Sequence, residues 1–117
     1  MKMSLERLFQ TLSDPTRLRS LVLLSREGEL CVCELTHALA EIQPKVSRHL
    51  ALMREAGLVT GRREGQWVYY RLHPDLPPWV LQVIAAAREG AEDEEPFHMD
   101  RARLKGMPNR PDSRCCA

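Results

Sequence analysis

One change of hydrophobic period limits the folds open to this chain. Up to Leu58 the apolar residues recur at helical spacing, whereas beyond it Val68, Tyr70 and Leu72 alternate with Trp67, Tyr69 and Arg71, the two-residue repeat of a strand. Arg63-Glu64-Gly65-Gln66 supplies a glycine-containing turn, so this stretch reads as a β-hairpin. After Pro74 helical spacing returns, with Pro77 near a helix start and Val80, Val83, Ile84 and Ala87 on one stripe. A length of 117 residues has room for one modest core and not for two lobes with a cleft between them. The chain is therefore expected to be mainly α with a single β-hairpin.

Four helices are predicted ahead of the hairpin. Leu5, Leu8, Phe9 and Leu12 form one stripe; Ser13-Asp14-Pro15 caps a second helix that carries Leu18, Leu21 and Val22 inward and stops near Gly28. A third has Leu35, Ala38, Leu39 and Ile42 on one face, and Gln43-Pro44 restarts the pattern for a fourth that buries Val46, Leu50 and Met53 and ends at Gly57. Two short helices joined by a few residues and followed by a hairpin describe a winged helix-turn-helix. Residues 1–91 are read as this DNA-binding domain. Residues 92–117, with few apolar anchors, are read as a flexible charged tail.

The charge is sorted in the way a DNA-binding face needs. The chain carries 17 Lys+Arg and 16 Asp+Glu, net +1. Residues 43–74 hold 6 basic and 2 acidic side chains, net +4, and residues 75–100 hold 1 and 7, net −6. At the start of the fourth helix Gln43 and Arg48 suit bidentate contacts to base edges, Lys45 and His49 suit phosphates, and Ser47 suits either. Arg62, Arg63 and Gln66 lie at the hairpin tip, where a core has no use for them and DNA phosphates do. Trp67, Tyr69, Tyr70 and Trp79 are expected to pack the hairpin and last helix rather than to stack on bases.

The cysteines fall in two tight pairs, Cys31 and Cys33, and Cys115 and Cys116. No leader-like N-terminal pattern and no apolar run near 20 residues is present, so a reduced cytoplasmic setting without a membrane role is expected. There, paired thiols are either ligands for a soft ion, redox groups or small buried hydrophobes. In a regular helix residues two apart sit about 200° apart around the axis, so Cys31 and Cys33 can share one ion only where the helix entrance is irregular. His37 could extend the set to C-x-C-x3-H. A thiol enzyme would need a phosphate-cradling loop or a C-x-x-C at a helix start, and the chain has neither.

Four blocks carry a resemblance over about residues 5–90: Leu12 to Leu18, Glu29 to Leu35 around the cysteines, Gln43 to Leu50, and Gly65 to Leu72. In this order they resemble the ArsR/SmtB repressors, specifically the arsenic-responsive ArsR type. The resemblance implies a homodimer built on the first and last helices and operator DNA bound with no cofactor required. It also implies release by arsenite or antimonite on thiolates at the start of the third helix. Members of that type often place a third cysteine three residues after the second; here that position is Thr36. Cys115 and Cys116 are then candidates for additional ligands. Another soft metal such as cadmium or lead, an organoarsenical or thiol oxidation is the alternative signal. The zinc-responsive branch holds its metal on the last helix, and Trp79 to Gly90 contains no Asp or His.

Overall fold

The computed structural model describes residues 3–110, so Cys115 and Cys116 lie outside the described residues. Helix α1 (Leu5–Leu12) starts at Ser4, whose hydroxyl accepts the Arg7 N–H, and helix α2 (Pro15–Glu27) starts at Asp14, whose carboxylate accepts the Arg17 N–H at 3.1 Å. Such caps satisfy donors that the first turn leaves free and are worth roughly 1 kcal/mol each. Gly28, at φ 91°, ends α2 where the sequence places the stop. Next come strand β1 (Glu29–Cys31), helices α3 (Val32–Leu39) and α4 (Gln43–Glu55), strands β2 (Val59–Glu64) and β3 (Trp67–Leu72), and helices α5 (Pro78–Gly90) and α6 (Phe97–Lys105).

Helices α3 and α4, linked by residues 40–42, make the helix-turn-helix, and β2 with β3 makes the wing, as expected. Pairing runs from Val59↔Leu72 to Glu64↔Trp67 and leaves Gly65 and Gln66 as a two-residue loop. Gly65 sits at φ 62°, the conformation that lets so short a loop match the twist of its strands. A third strand was not expected: β1 lies along the other edge of β3, from Glu29↔Arg71 to Cys31↔Tyr69. This pairing fixes the residues just before α3 to the wing.

Helix α4 buries Val46, His49, Leu50 and Met53, the i, i+3, i+4, i+7 face that packs on the core with Leu24, Leu35 and Leu39. Tyr69 and Tyr70 are buried and Trp79 packs against the core, in line with structural rather than stacking roles. Two expectations need correction. Ile42 is 68% exposed, because Ala40 turns left-handed at φ 54° and ends α3 before Ile42 can join its inner face. Of the α1 stripe, Leu8 is fully buried, while Leu5 and Phe9 face solvent.

The larger correction concerns residues 92–110, where a tail was expected. Helix α6 lies there and buries Phe97, Asp100 and Leu104 against the body. Phe97 packs with Val22 and Ala91, and Leu104 joins the main core. Asp100 is wholly buried, with its carboxylate on Arg19 at 2.7 and 2.8 Å and on Arg103 at 3.0 Å. Only two apolar side chains anchor this helix, too few to stand out as a stripe in sequence, and polar contacts supply the rest. Arg103 donates to the Ala38 carbonyl and Arg19 to that of Leu39, occupying acceptors that the end of α3 leaves open.

Candidate thiol site and nucleic-acid interface

The two cysteines flank a break in regular backbone. Cys31 is the N-cap of α3, extended at φ −84° and ψ 164°, while Cys33 is two residues into the helix. The irregular entrance that a shared ion requires is thus built in. The Cys31 side chain is fully buried, and its Sγ accepts the Glu34 N–H at 3.4 Å; Glu34 Oε1 in return accepts the Cys31 N–H at 2.8 Å. This reciprocal pair is a capping box with sulfur in the place usually held by a hydroxyl. Burial pushes the Cys31 thiol well above its ordinary pKa, and the adjacent Cys33 thiol pushes it further. Cys31 therefore rests protonated.

Around the thiols is a cavity of about 640 Å³, lined by Thr36 on α3, Gln43 and Ser47 on α4, and Trp67 and Val68 on the wing. One cavity wall is the α3 entrance with its two thiols, and the other is the helix and strand expected to meet DNA. The Thr36 hydroxyl oxygen is buried without a hydrogen-bond partner among the described residues. His37 is exposed. Among the described residues no group of three or more His, Cys, Asp or Glu is placed to hold a metal ion. Two thiols, the Thr36 oxygen and the His37 ring, which also lines the cavity, are what α3 and its cap residue offer to a ligand.

Glu34 was missed in sequence. It is 2% exposed, and its second oxygen accepts from Arg110 Nε at 2.7 Å. The signal was present, since Cys31 and Glu34 have the x-x spacing of a capping box, but Cys is not among the usual cap residues. Arg110, Asp100 and Arg19 carried no local signal at all.

On the expected DNA face the residues divide. Gln43, Arg48, Arg63 and Gln66 are exposed, and Ser47 is half-buried at the cavity rim. Lys45 pairs with Glu41 at 3.2 Å, one turn away. Arg62 is on strand β2 rather than at the tip; it pairs with Glu29 and Glu64 and lies over the Tyr69 ring at 4.5 Å. Hydrogen bonds that it donates to those carboxylates, Glu29 first, raise its already high pKa. His49 is corrected outright: it is buried at the α4–α2 contact, 3.2 Å from Arg17 and 3.8 Å from Asp14, and cannot meet a phosphate from there. Its position three residues after Val46 puts it on the inner face. Burial lowers its pKa against the opposing pull of Asp14, and the charges of Arg17, Arg48 and Lys45 act in the same direction as burial. For Asp14 burial acts upward, and the Arg17 N–H together with the His49 and Arg17 charges overcomes it, so its pKa falls.

The winged helix-turn-helix is also found in known proteins to which this chain is similar. Residues 14–60, from the α2 cap through α4 to β2, match the model described as bacterial regulatory protein, arsR family. The arsenic resistance transcriptional regulator ArsR1 of Pseudomonas putida is 53% identical over 105 residues, 90% of this chain and 80% of that one. This chain belongs to the arsR family.

Other arsR-family relatives agree with that placement. The arsenical resistance operon repressor of Escherichia coli is 55% identical over 80 residues, 68% of each chain. Among solved structures, reduced HlyU from Vibrio cholerae superposes with TM-score 0.63 at 34% identity, covering 70% of this chain and 82% of its own. The AntR antimony-specific transcriptional repressor gives 0.62 at 32%, covering 73% and 74%. These relatives bear out the winged helix-turn-helix fold and the resemblance drawn from the four sequence blocks. The named relatives are transcriptional regulators rather than enzymes, in agreement with the expectation of no enzymatic activity.

Proposed function

We propose that this arsR-family chain is a homodimeric repressor of an arsenic-resistance operon, reading operator DNA with α4 and the wing. Trivalent arsenic or antimony on Cys31 and Cys33 releases it. Similarity to arsenic-resistance regulators and an antimony-specific repressor supports the ligand class. On the DNA side, Gln43, Lys45, Ser47 and Arg48 would meet bases and phosphates from α4, and Arg62, Arg63 and Gln66 from the wing. Leu5 and Phe9 on α1, with Leu81 on α5, are large apolar side chains left to water by the single chain, and a second copy would cover them. A repressor that reads operator DNA acts in the cytoplasm; among the described residues no helix is long and apolar enough to cross a membrane.

The observation that carries the reading is the double duty of one sulfur. Cys31 Sγ holds the first turn of α3 by accepting the Glu34 N–H. An arsenic atom bridging Cys31 and Cys33 must draw on the same sulfur, so ligand and cap compete. Each hydroxyl of As(OH)3 leaves as water with the proton of the thiol that replaces it, so a protonated Cys31 is a competent reactant. Losing a cap costs about 1 kcal/mol, within the range of ordinary allosteric couplings. The strain falls on a helix that leads into α4 through residues 40–42 and borders the same cavity as Gln43 and Ser47.

The test is operator-fragment anisotropy with and without arsenite for wild type, C31S and C33S. Serine is a good N-cap, so C31S keeps α3 and DNA binding while its response to arsenite disappears. Release of either variant at the wild-type arsenite concentration would refute the reading.

A further inference from the structure

We propose that Ile42 is a specificity residue for the operator: its side chain packs on the C5-methyl group of a thymine in the major groove and sets the base preference at one position of each half-site. This rests on the reading of α4 as the helix that enters operator DNA. To the polar contacts of that helix it adds the apolar one they cannot supply.

A lone apolar side chain on a surface is ordinary. At Ile42 three observations coincide. It is the most exposed large apolar side chain among the described residues, at 68%. It is also the N-cap of α4, a position where serine, threonine, asparagine or aspartate would satisfy a first-turn N–H. Isoleucine makes no such bond, and α4 starts without a side-chain cap, whereas α1, α2 and α3 each have one. The residue thus serves neither the core nor its own helix. Third, it stands at the end of α4 whose residues meet base edges when such a helix lies in the major groove, beside the exposed Gln43.

The turn between the helices holds it there. The left-handed Ala40 donates its N–H to the His37 carbonyl at 3.2 Å, the Glu41 N–H reaches the Thr36 carbonyl at 3.3 Å, and the Ile42 carbonyl accepts the Val46 N–H at 3.2 Å. With the backbone bonded on both sides and a β-branched side chain of few rotamers, little freedom is lost on contact. Charge selects the occupant. A second copy packed here through the same face would set Lys45 and Arg48 against their like, whereas DNA brings phosphates that complement them. The apolar group that the major groove presents is the thymine methyl.

The experiment uses full-length wild type, I42S, I42A and Q43A/R48A. Affinity is read by anisotropy on the operator fragment and on copies in which thymines are replaced one at a time by deoxyuridine, which lacks only the methyl group. At the thymine concerned wild type should lose about 4-fold, as uncovering one methyl group implies, and roughly 15-fold when both half-sites carry the replacement. I42S and I42A should bind the thymine fragment at least as weakly as wild type binds the deoxyuridine one, and should lose nothing further at that position, the signature of a coupled pair in a mutant cycle. Serine supplies the cap that α4 lacks, so the Tm of I42S should be no lower than that of wild type. A wild type indifferent to every single replacement, or an I42S that keeps the wild-type deoxyuridine profile, overturns the inference and leaves the reading of α4 intact. A lower Tm or a weakened dimer in I42S, the latter read by sedimentation, overturns it too, by giving Ile42 to the fold or to the subunit contact. Unchanged operator affinity in Q43A/R48A overturns the reading of α4 instead.

Discussion

Replacing Asp100 by Ala tests whether α6 is part of the fold. Its carboxylate is wholly buried and takes three hydrogen bonds, two from Arg19 and one from Arg103. The bond to Asp100 chiefly stabilises the Arg19 charge, raising its pKa against the effect of burial. In D100A the Arg19 guanidinium, 11% exposed, keeps the Leu39 carbonyl at 2.9 Å and Glu41 at 3.8 Å. Removing one partner of a buried pair costs about 3–5 kcal/mol, and these remaining acceptors place the expected loss near the lower end, about 3 kcal/mol. That is a large part of a total of roughly 5–15 kcal/mol. At about 4 °C per kcal/mol for a chain of this size, Tm should fall by about 12 °C. Calorimetry at fixed protein concentration, checked by urea midpoints, reads the change. D100A/R19M, which removes the stranded cation as well, should recover most of it. A D100A protein within about 0.5 kcal/mol of wild type, the range of an ordinary surface substitution, would refute the docking of α6.

The wing arginines should behave differently in DNA binding. R63A should lower the slope of log affinity against log salt by about one, whereas R62A should lower it less because Glu29 and Glu64 already neutralise that side chain. Stability should depend on pH through His49. Its folded pKa is depressed, so the unfolded chain takes up a proton first as pH falls, and stability declines below about pH 6.5 and is level above it. Urea midpoints from about pH 8 to about pH 5.5 should show this slope in wild type and a shallower one in H49N.

The helices α2, α3 and α4 and the hairpin were legible because each carries a local signature. Asp14 and Gly28 bound α2 by capping chemistry, and β3 shows its two-residue alternation within six residues. Strand β1 was invisible because three residues cannot display a period, and its existence depends on β3 arriving alongside. Helix α6 was read as a tail for a related reason. Its hold on the body comes from Asp100, Arg103 and Arg19, charged residues whose burial makes sense only when their partners, 81 positions apart for Arg19 and Asp100, are already in place.

At the site the same division holds. Sequence alone determined which residue types are available: two thiols two apart at a helix entrance, a threonine where a third could stand, and Gln43, Arg48, Arg63 and Gln66 on a basic stretch. Tertiary structure decided what each can reach. It took His49 out of the DNA face, tied Arg62 to Glu29, put Cys31 outside the regular helix and joined Glu34 to Arg110. Spacing along the chain encodes only which side chains share a face of one element. Burial and charge pairing are set between elements, so the roles of Cys31, Glu34 and Arg110 emerge only when α3, the wing and α6 meet.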